Sequence, residues 1–178
     1  MTPIDATREW LERAVIGLEL CPFAKAVHLK RQIRWVESRA TDAEALLGEL
    51  VHELQRLAAS DPARVETTLL IHPHALADFD AYNDFLGIAD TAVEQLGLEG
   101  VLQVASFHPQ YRFEGSAADD IANCTNRSPH PTLHLLREAS IERALAAFPD
   151  AATIYERNIA TLRRLGPEGW RRLFTAPG

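Results

Sequence analysis

Apolar residues recur at helical spacing in several stretches of the chain. Thr2-Pro3 is typical of a helix start, and the apolar positions that follow predict a first helix to about Leu18. A short helix is predicted over residues 22–30. Further helices are predicted after a capping box at Thr41-Asp42-Ala43-Glu44, over residues 76–97, over 132–147 and over 150–165, the last closed by Gly166-Pro167.

Three stretches between these helices are predicted to be strands. Ile33–Glu37 is partly polar, which indicates a strand near a sheet edge, whereas Thr67–Ile71 is continuously apolar or β-branched, as a central strand requires. Residues 101–107 predict a third, buried strand. Strands that alternate with helices favour an α/β domain over 1–178, with a small, at least partly parallel sheet of three or more strands covered by helices and a helical C-terminal segment. Antiparallel arrangements stay open.

The composition narrows the range of partners. The 178 residues are 47% hydrophobic and carry a net charge of −7, so the molecule repels phosphate backbones and anionic lipids, and we expect neither nucleic acid nor membrane partners. The N-terminus shows no basic stretch before an apolar one, which predicts a cytoplasmic protein. Cys21 and Cys124 lie far apart in sequence, which favours two free thiols, although a single disulfide stays open.

His-Pro steps follow two consecutive predicted strands. His72-Pro73-His74 ends the second strand and His108-Pro109 ends the third. If these strands are parallel neighbours, His72, His74 and His108 share the rim where ligands of open sheets bind. Three interpretations of these histidines are open. They could perform acid-base catalysis or bind an anion, they could ligate a metal, or they could simply end the strands as solvated or capping residues. No metal-binding motif spacing is present, and His134 falls on the helix predicted over 132–147.

A long polar loop separates the third strand from the helix predicted over 132–147. Within it, Asn126, Arg127 and Ser128 precede that helix, whose N-terminal amides would favour an anion beside the Arg127 guanidinium. The loop is therefore predicted to anchor an anionic substrate. The structural alternative is that Asn126 and Ser128 cap turns while Arg127 pairs with Asp119 or Asp120.

Cys21 precedes Pro22 at a predicted helix start, where unpaired amides lower a thiol pKa and raise its reactivity. This position makes Cys21 a candidate nucleophile, alone or paired with His108. Its neighbours Leu20, Phe23 and Ala24 are apolar, so the competing interpretation is an inert, packed thiol.

Three segments resemble an uncharacterised bacterial family, domain of unknown function fourteen-fifteen: Leu20-Cys21-Pro22-Phe23-Ala24, Ala105-Ser106-Phe107-His108-Pro109 and Thr125-Asn126-Arg127-Ser128-Pro129. The resemblance runs over nearly the whole chain and implies no reaction, substrate or cofactor. It implies that Cys21, His108, Asn126 and Arg127 are the polar residues to test. It also implies that Cys124 and His130, where the family commonly has aromatic residues, are neither obligatory ligands nor nucleophiles.

Three functional hypotheses result. In the leading one, a small-molecule enzyme, Arg127 and Asn126 (with Ser128 and His74) bind an anionic substrate while His108 and His72 transfer protons. In the second, a non-enzymatic binding or assembly module, the polar loop and the helices around Trp170 and Phe174 form an interface, for example in a homodimer. In the third, His72, His74 and His108 ligate a catalytic metal. The cofactor stays unknown.

Overall fold

A computed structural model describes residues 1–147 and 150–175 of the chain. It has six α-helices in this part: α1 (Pro3–Trp10), α2 (Ala24–Leu29), α3 (Ala43–Ala59), α4 (Phe79–Gln95), α5 (Glu138–Ala146) and α6 (Ala151–Arg172). A π-helical stretch, Leu11–Ile16, continues α1, and a 3₁₀ helix spans Ile121–Asn126. Four strands form one sheet: β1 (Ile33–Glu37), β2 (Thr67–Ile71), β3 (Leu102–Phe107) and β4 (Thr132–Arg137).

Local signals account for most helix boundaries. Thr2 and Asp5 form a reciprocal capping box at the start of α1, and Pro3 occupies its first turn, as predicted. Helix α3 begins one residue later than the predicted box, because the Asp42 carboxylate, rather than Thr41, accepts the Ala45 N–H at 2.8 Å. Likewise α4 starts at Phe79 and not at Leu76, after the Asp78 cap.

The sheet order is β1-β2-β4-β3. Strand β1 pairs parallel with β2, while β4 is antiparallel to both of its neighbours, β2 and β3. The predicted partly parallel α/β sheet is therefore confirmed. As predicted, β1 lies at one edge and every residue of β2 is buried. Strand β3 was predicted to be buried, but it is the other edge strand and most of its side chains are half-buried.

Residues 132–137, predicted as the first part of a helix, form strand β4 instead. Short apolar runs do not distinguish a helix from a buried strand by their periodicity. Pairing on both sides, from Thr68↔Leu135 on β2 to Phe107↔Thr132 on β3, gives the segment two complete ladders, which a local helix could not supply. His134 accordingly lies in the sheet, and the helix that follows, α5, begins only at Glu138.

Helices cover both faces of the sheet. On one face, α3 and α4 pack leucines and aromatic side chains against the central strands, with Leu70, Leu133 and Leu135 all fully buried. On the other face, Trp10, the π-helical stretch and the end of α6 pack against Trp35 and Phe107. Burial of these side chains from water is the main stabilising term of the fold.

Helix α6 contains a sharp break where the sequence predicts its end. Gly166 has φ 70° and ψ 170°, a conformation that is accessible almost only to glycine. Pro167 then begins a further helical stretch to Arg172. The Arg13 guanidinium donates to the Leu173 carbonyl at 2.7 Å, which joins this last stretch to the N-terminal helices.

Within residues 1–147 and 150–175, no helix is long and apolar enough to cross a membrane.

Arg137, the last residue of β4, closes the end of α3. Its guanidinium donates to the carbonyls of Leu57, Ser60 and Val65 at 2.8 to 3.1 Å. We expect Arg137→Met to lower the free energy of unfolding by about 1–3 kcal/mol, because these carbonyls lose their donor. Urea denaturation of the variant measures the loss. The exposed Arg164→Met is the matched control, and an equal effect of both changes would contradict the capping role.

Candidate functional site

The carboxyl ends of β1, β2 and β3 lie at the same end of the sheet, which we call the rim. All three strands run in the same direction, because β2 and β3 are each antiparallel to β4. His72 and His108 therefore follow strands that end on the same rim. The condition that β2 and β3 are parallel neighbours is not met, because β4 lies between them.

His108 is fully buried on this rim, and both of its ring nitrogens are bonded to the backbone. Nδ1 accepts the Gln110 N–H at 3.0 Å, so Nε2 carries the proton and donates to the Leu76 carbonyl at 3.1 Å. Burial lowers the pKa of His108, against the opposing effect of the Leu76 carbonyl. The neutral ring joins two loops, and this geometry leaves no nitrogen for a substrate.

His72 is also fully buried, but only one of its nitrogens has a partner. Nδ1 donates to the Ala75 carbonyl at 2.9 Å, while Nε2 has no hydrogen-bond partner among the described residues. Burial lowers the pKa of His72 to about 4. His74, two residues later, is exposed to solvent. The buried His72 ring and the exposed His74 ring thus lie in different environments.

Tyr82 of α4 fills the space between His72 and His108. Its hydroxyl donates to the Thr132 carbonyl at 2.8 Å and accepts the Phe107 N–H at 3.0 Å. The ring centre lies 4.9 Å from that of His108 and 5.8 Å from that of His72. Burial raises the pKa of the phenol. The hydroxyl therefore replaces a direct backbone hydrogen bond between Phe107 of β3 and Thr132 of β4. The Tyr82 ring fills the space between His72 and His108, so no open crevice remains between them.

The third functional hypothesis requires a cluster of side chains that could ligate a metal ion, with His72, His74 and His108 among them. In residues 1–147 and 150–175, no group of three or more His, Cys, Asp or Glu side chains is placed to hold a metal ion.

The 3₁₀ helix and the residues after it attach the polar loop to β3. The side-chain amide of Asn126 donates to the Ser106 carbonyl at 2.9 Å, and the Asn126 carbonyl accepts the His108 N–H at 3.1 Å. The Ser128 hydroxyl donates to the His130 carbonyl at 2.6 Å. The Ser128 contact is a local turn, as the structural alternative for this loop supposes, whereas Asn126 does not cap a turn but covers the open edge of β3.

Arg127 is held by carbonyl groups of the same loop. Nε donates to the Tyr111 carbonyl at 3.0 Å, and one terminal nitrogen donates to the Ala118 carbonyl at 2.6 Å. Neither Asp119 nor Asp120 forms an ion pair with it. No carboxylate pairs with it elsewhere in the described residues. The expected helix N-terminus at residue 132 is also absent, because β4 starts there.

Arg127 separates two clefts. The larger, of about 690 Å³, lies between the polar loop, α1 and the end of α6, and we call it the Arg127 cleft. The smaller, of about 380 Å³, opens toward the start of α4. The Arg127 cleft is lined by Met1, Ala6, Glu9, Trp10, Pro109, Asp119, Ile121, Cys124, Arg127, Ser128, Pro129, Pro167, Trp170, Arg171 and Phe174.

Most of the apolar walls of this cleft come from the two ends of the chain. Trp10 is 3% exposed and packs edge-on against Phe107, with ring centres 5.1 Å apart. Trp170 and Phe174 pack edge-on against each other at 5.4 Å and are half-buried against Trp10. Trp10 was not among the residues predicted to form a site, and Trp170 and Phe174 were considered only for an interface. A helical stripe of apolar residues normally packs in the core. No local sequence signal shows that the helix with Trp10 and the helix with Trp170 meet in the fold.

The two cysteines are free and lie apart. Burial raises the pKa of the Cys21 thiol more than the amides of Phe23 and Ala24 lower it. Pro22 and Phe23 line a cleft with Glu66, at the end of the sheet where β2 begins, whereas His108 follows the opposite ends of the strands. The structure does not bring Cys21 and His108 together. Cys124 lines the Arg127 cleft, and burial raises its pKa against the effect of Arg127.

Comparison with known proteins gives one match. The model of a family described as protein of unknown function (DUF1415) matches residues 2–172. No curated protein and no solved structure matches the chain.

Removal of the Tyr82 hydroxyl should destabilise the fold. Tyr82→Phe leaves the Phe107 N–H and the Thr132 carbonyl without a partner, which should lower the free energy of unfolding by about 2–4 kcal/mol. Chemical denaturation at neutral pH measures the change. Tyr155→Phe, at a tyrosine that is 47% exposed, is the control. A loss below about 0.5 kcal/mol for Tyr82→Phe would show that the bridge contributes little.

His72 and His134 should make the stability of the fold depend on pH. Burial lowers the pKa of His72 and of His134 to about 4, below the value of about 6.5 in an unfolded chain. Below pH 6.5 the unfolded state therefore binds more protons, so stability is complete above that pH and is lost as the pH falls toward 4. The loss reaches about 3 kcal/mol for each histidine.

Unfolding free energies measured by urea denaturation at pH 7.5, 6 and 5 test this dependence. His72→Asn keeps a donor near the Ala75 carbonyl, and His134→Gln keeps a donor near the Thr67 hydroxyl, which accepts from His134 at 2.6 Å. Each variant should lose less stability on acidification than the parent. Parallel pH profiles for the parent and both variants would contradict the assignment.

Proposed function

The chain belongs to the DUF1415 family of proteins of unknown function, and from the geometry of the Arg127 cleft we propose that it binds a small anionic molecule there. The observation that carries the proposal is the state of Arg127. Its guanidinium is fixed by the Tyr111 and Ala118 carbonyls, yet no carboxylate of the described residues pairs with it. A fixed cation that lines a cleft and has no carboxylate partner suits a carboxylate or a phosphate.

The other charges of the Arg127 cleft support an anion. Arg171, on the last stretch of α6, adds a second guanidinium to the lining. Of the two carboxylates, Glu9 is already paired with Arg13, whose Nε lies 2.9 Å from its oxygen. Asp119 is exposed to solvent and is therefore well hydrated. Two cations thus face one carboxylate that has no partner of its own, and the balance favours a negatively charged ligand.

The smaller cleft beside Arg127 is less suited to an anion. Asp78 and Asp80, at the start of α4, line it together with Arg112 and Arg127. The two carboxylates offset the two guanidinium groups. We therefore place the ligand in the larger cleft.

The proposal is limited to binding. Proton transfer by His108 and His72 is not supported by their surroundings, because both rings are fully buried and His108 uses both nitrogens for backbone groups. Asn126 and Ser128 likewise act on the backbone. Trp170 and Phe174 face the chain's own cleft, so no specific observation favours the assembly module. The proposal assigns no cofactor.

Thermal unfolding in a panel of small carboxylates and phosphate monoesters, at constant ionic strength, tests the proposal. A ligand that binds the folded state raises the unfolding temperature. At least one anion should do so in the parent, and Arg171→Met should weaken its apparent affinity roughly tenfold because one charged contact is lost. Arg127→Met should abolish the effect.

Two features keep this test decisive. Arg31→Met changes an exposed arginine far along the sequence from the cleft residues and should leave the response to the anion intact. Arg171 makes no bond to the polar loop in the described residues, so its replacement tests the cleft even if Arg127→Met disturbs that loop. An anion that stabilises the parent, Arg171→Met and Arg127→Met equally would refute the proposal, as would a panel in which no anion binds.

A further inference from the structure

We infer that the anion bound in the Arg127 cleft has a flat, apolar body, and that it is an aromatic carboxylate or a close chemical equivalent. This inference rests on the proposed function and specifies the substrate class. It depends on the apolar walls of the cleft together with the cations Arg127 and Arg171.

The walls of the cleft are mostly groups that cannot form hydrogen bonds to a ligand. Trp170 and Phe174 lie on one side, Ile121 and Pro129 on the polar loop, and Pro167 after the break in α6. Apolar walls of this kind favour a ligand that buries apolar surface of its own. A volume of about 690 Å³ also exceeds what acetate or phosphate alone would fill.

Trp10 adds a donor without an acceptor. Its indole Nε1 is buried and has no hydrogen-bond partner among the described residues. The ring is held by its edge-on packing against Phe107 and by the surrounding apolar cluster. A buried N–H without a partner is unfavourable, and it is rarely left so without a reason. The Nε1 atom is closed to solvent, so a ligand oxygen in the cleft pairs with it only if the Trp10 ring or a neighbouring side chain shifts on binding.

These groups together define the ligand. The cations Arg127 and Arg171 require a negative group, and the aromatic walls favour a ring. Aromatic rings gain from edge-on or offset contacts with tryptophan and phenylalanine. A carboxylate on an aromatic ring combines both properties in one small molecule.

The three tryptophan indole N–H signals in a ¹H–¹⁵N spectrum of the full chain test this inference. The probe is naphthalene-2-carboxylate, compared with acetate, which lacks the ring, and with naphthalene-2-carboxamide, which lacks the charge. The naphthoate should move the signals of Trp10 and Trp170, and it should do so at roughly a tenth of the acetate concentration or less. Trp10→Phe and Trp170→Phe assign the signals.

Trp35 is an internal control for this titration. Its ring lies beneath the Arg8 guanidinium, 5.1 Å from the ring centre, and it lines a different cleft with His28 and Arg31. Trp35 packs on the same apolar cluster as Trp10 but does not line the Arg127 cleft, so its signal should move much less than those of Trp10 and Trp170. Arg171→Met should weaken naphthoate binding roughly tenfold without loss of the folded spectrum.

The possible outcomes separate the inference from the proposed function. Tight naphthoate binding with weak acetate and carboxamide binding, and with shifts much larger at Trp10 and Trp170 than at Trp35, supports both. Acetate or phosphate that binds as tightly as naphthoate, with loss in Arg171→Met, overturns the aromatic inference and leaves the anion site intact. Carboxamide that binds as tightly as naphthoate, or shifts that include Trp35 equally, also overturns it. No binding of any anion refutes both.

Discussion

The Tyr82 hydroxyl joins β3 and β4 at the end of the sheet where the sequence predicted a ligand site. It bridges the Phe107 N–H of β3 and the Thr132 carbonyl of β4, at distances of 3.0 and 2.8 Å, where the two strands separate. A buried phenol with both of its hydrogen-bonding roles satisfied is rigid, since any shift leaves two backbone groups unpaired. The histidines after β2 and β3 then pack on its ring, and the 3₁₀ helix attaches to the next residue, His108.

Because Tyr82 and the histidines fill the region beyond the strand ends, the Arg127 cleft lies elsewhere on the molecule. In open α/β sheets, ligands bind beyond the carboxyl ends of parallel strands, because the connecting loops leave a crevice there. Here β4 enters between β2 and β3, and Tyr82 fills the gap. The remaining cleft lies beyond β3, where the polar loop meets both ends of the chain. The histidines therefore stabilise the rim, while Arg127 and the exposed Asp119 of that loop line the open cleft.

Local sequence signals predicted the parts of the fold that local interactions decide. The bounds of β1 and β2 are those predicted, and the capped helices α1 and α3 begin within one residue of their predicted caps. Strand β4 was predicted as a helix, because its partners lie more than 20 residues away in sequence and leave no local trace. The same limit applies to the cleft. Arg127 was identified from its motif, but its meeting with Trp10 depends on tertiary packing.

The position of Arg127 argues for recognition rather than simple structural support. Carbonyl contacts alone do not distinguish the two roles, since Arg137 is held by three carbonyls at the end of α3; Arg127 differs because it also lines an open cleft. Two carbonyls fix its orientation, and no carboxylate of the described residues forms a direct ion pair with it. Such a side chain has already lost its conformational freedom before a ligand arrives, so an anion gains the full charge-assisted contact at little further entropic cost. The apolar walls around Trp10 and Trp170 then decide which anion is retained.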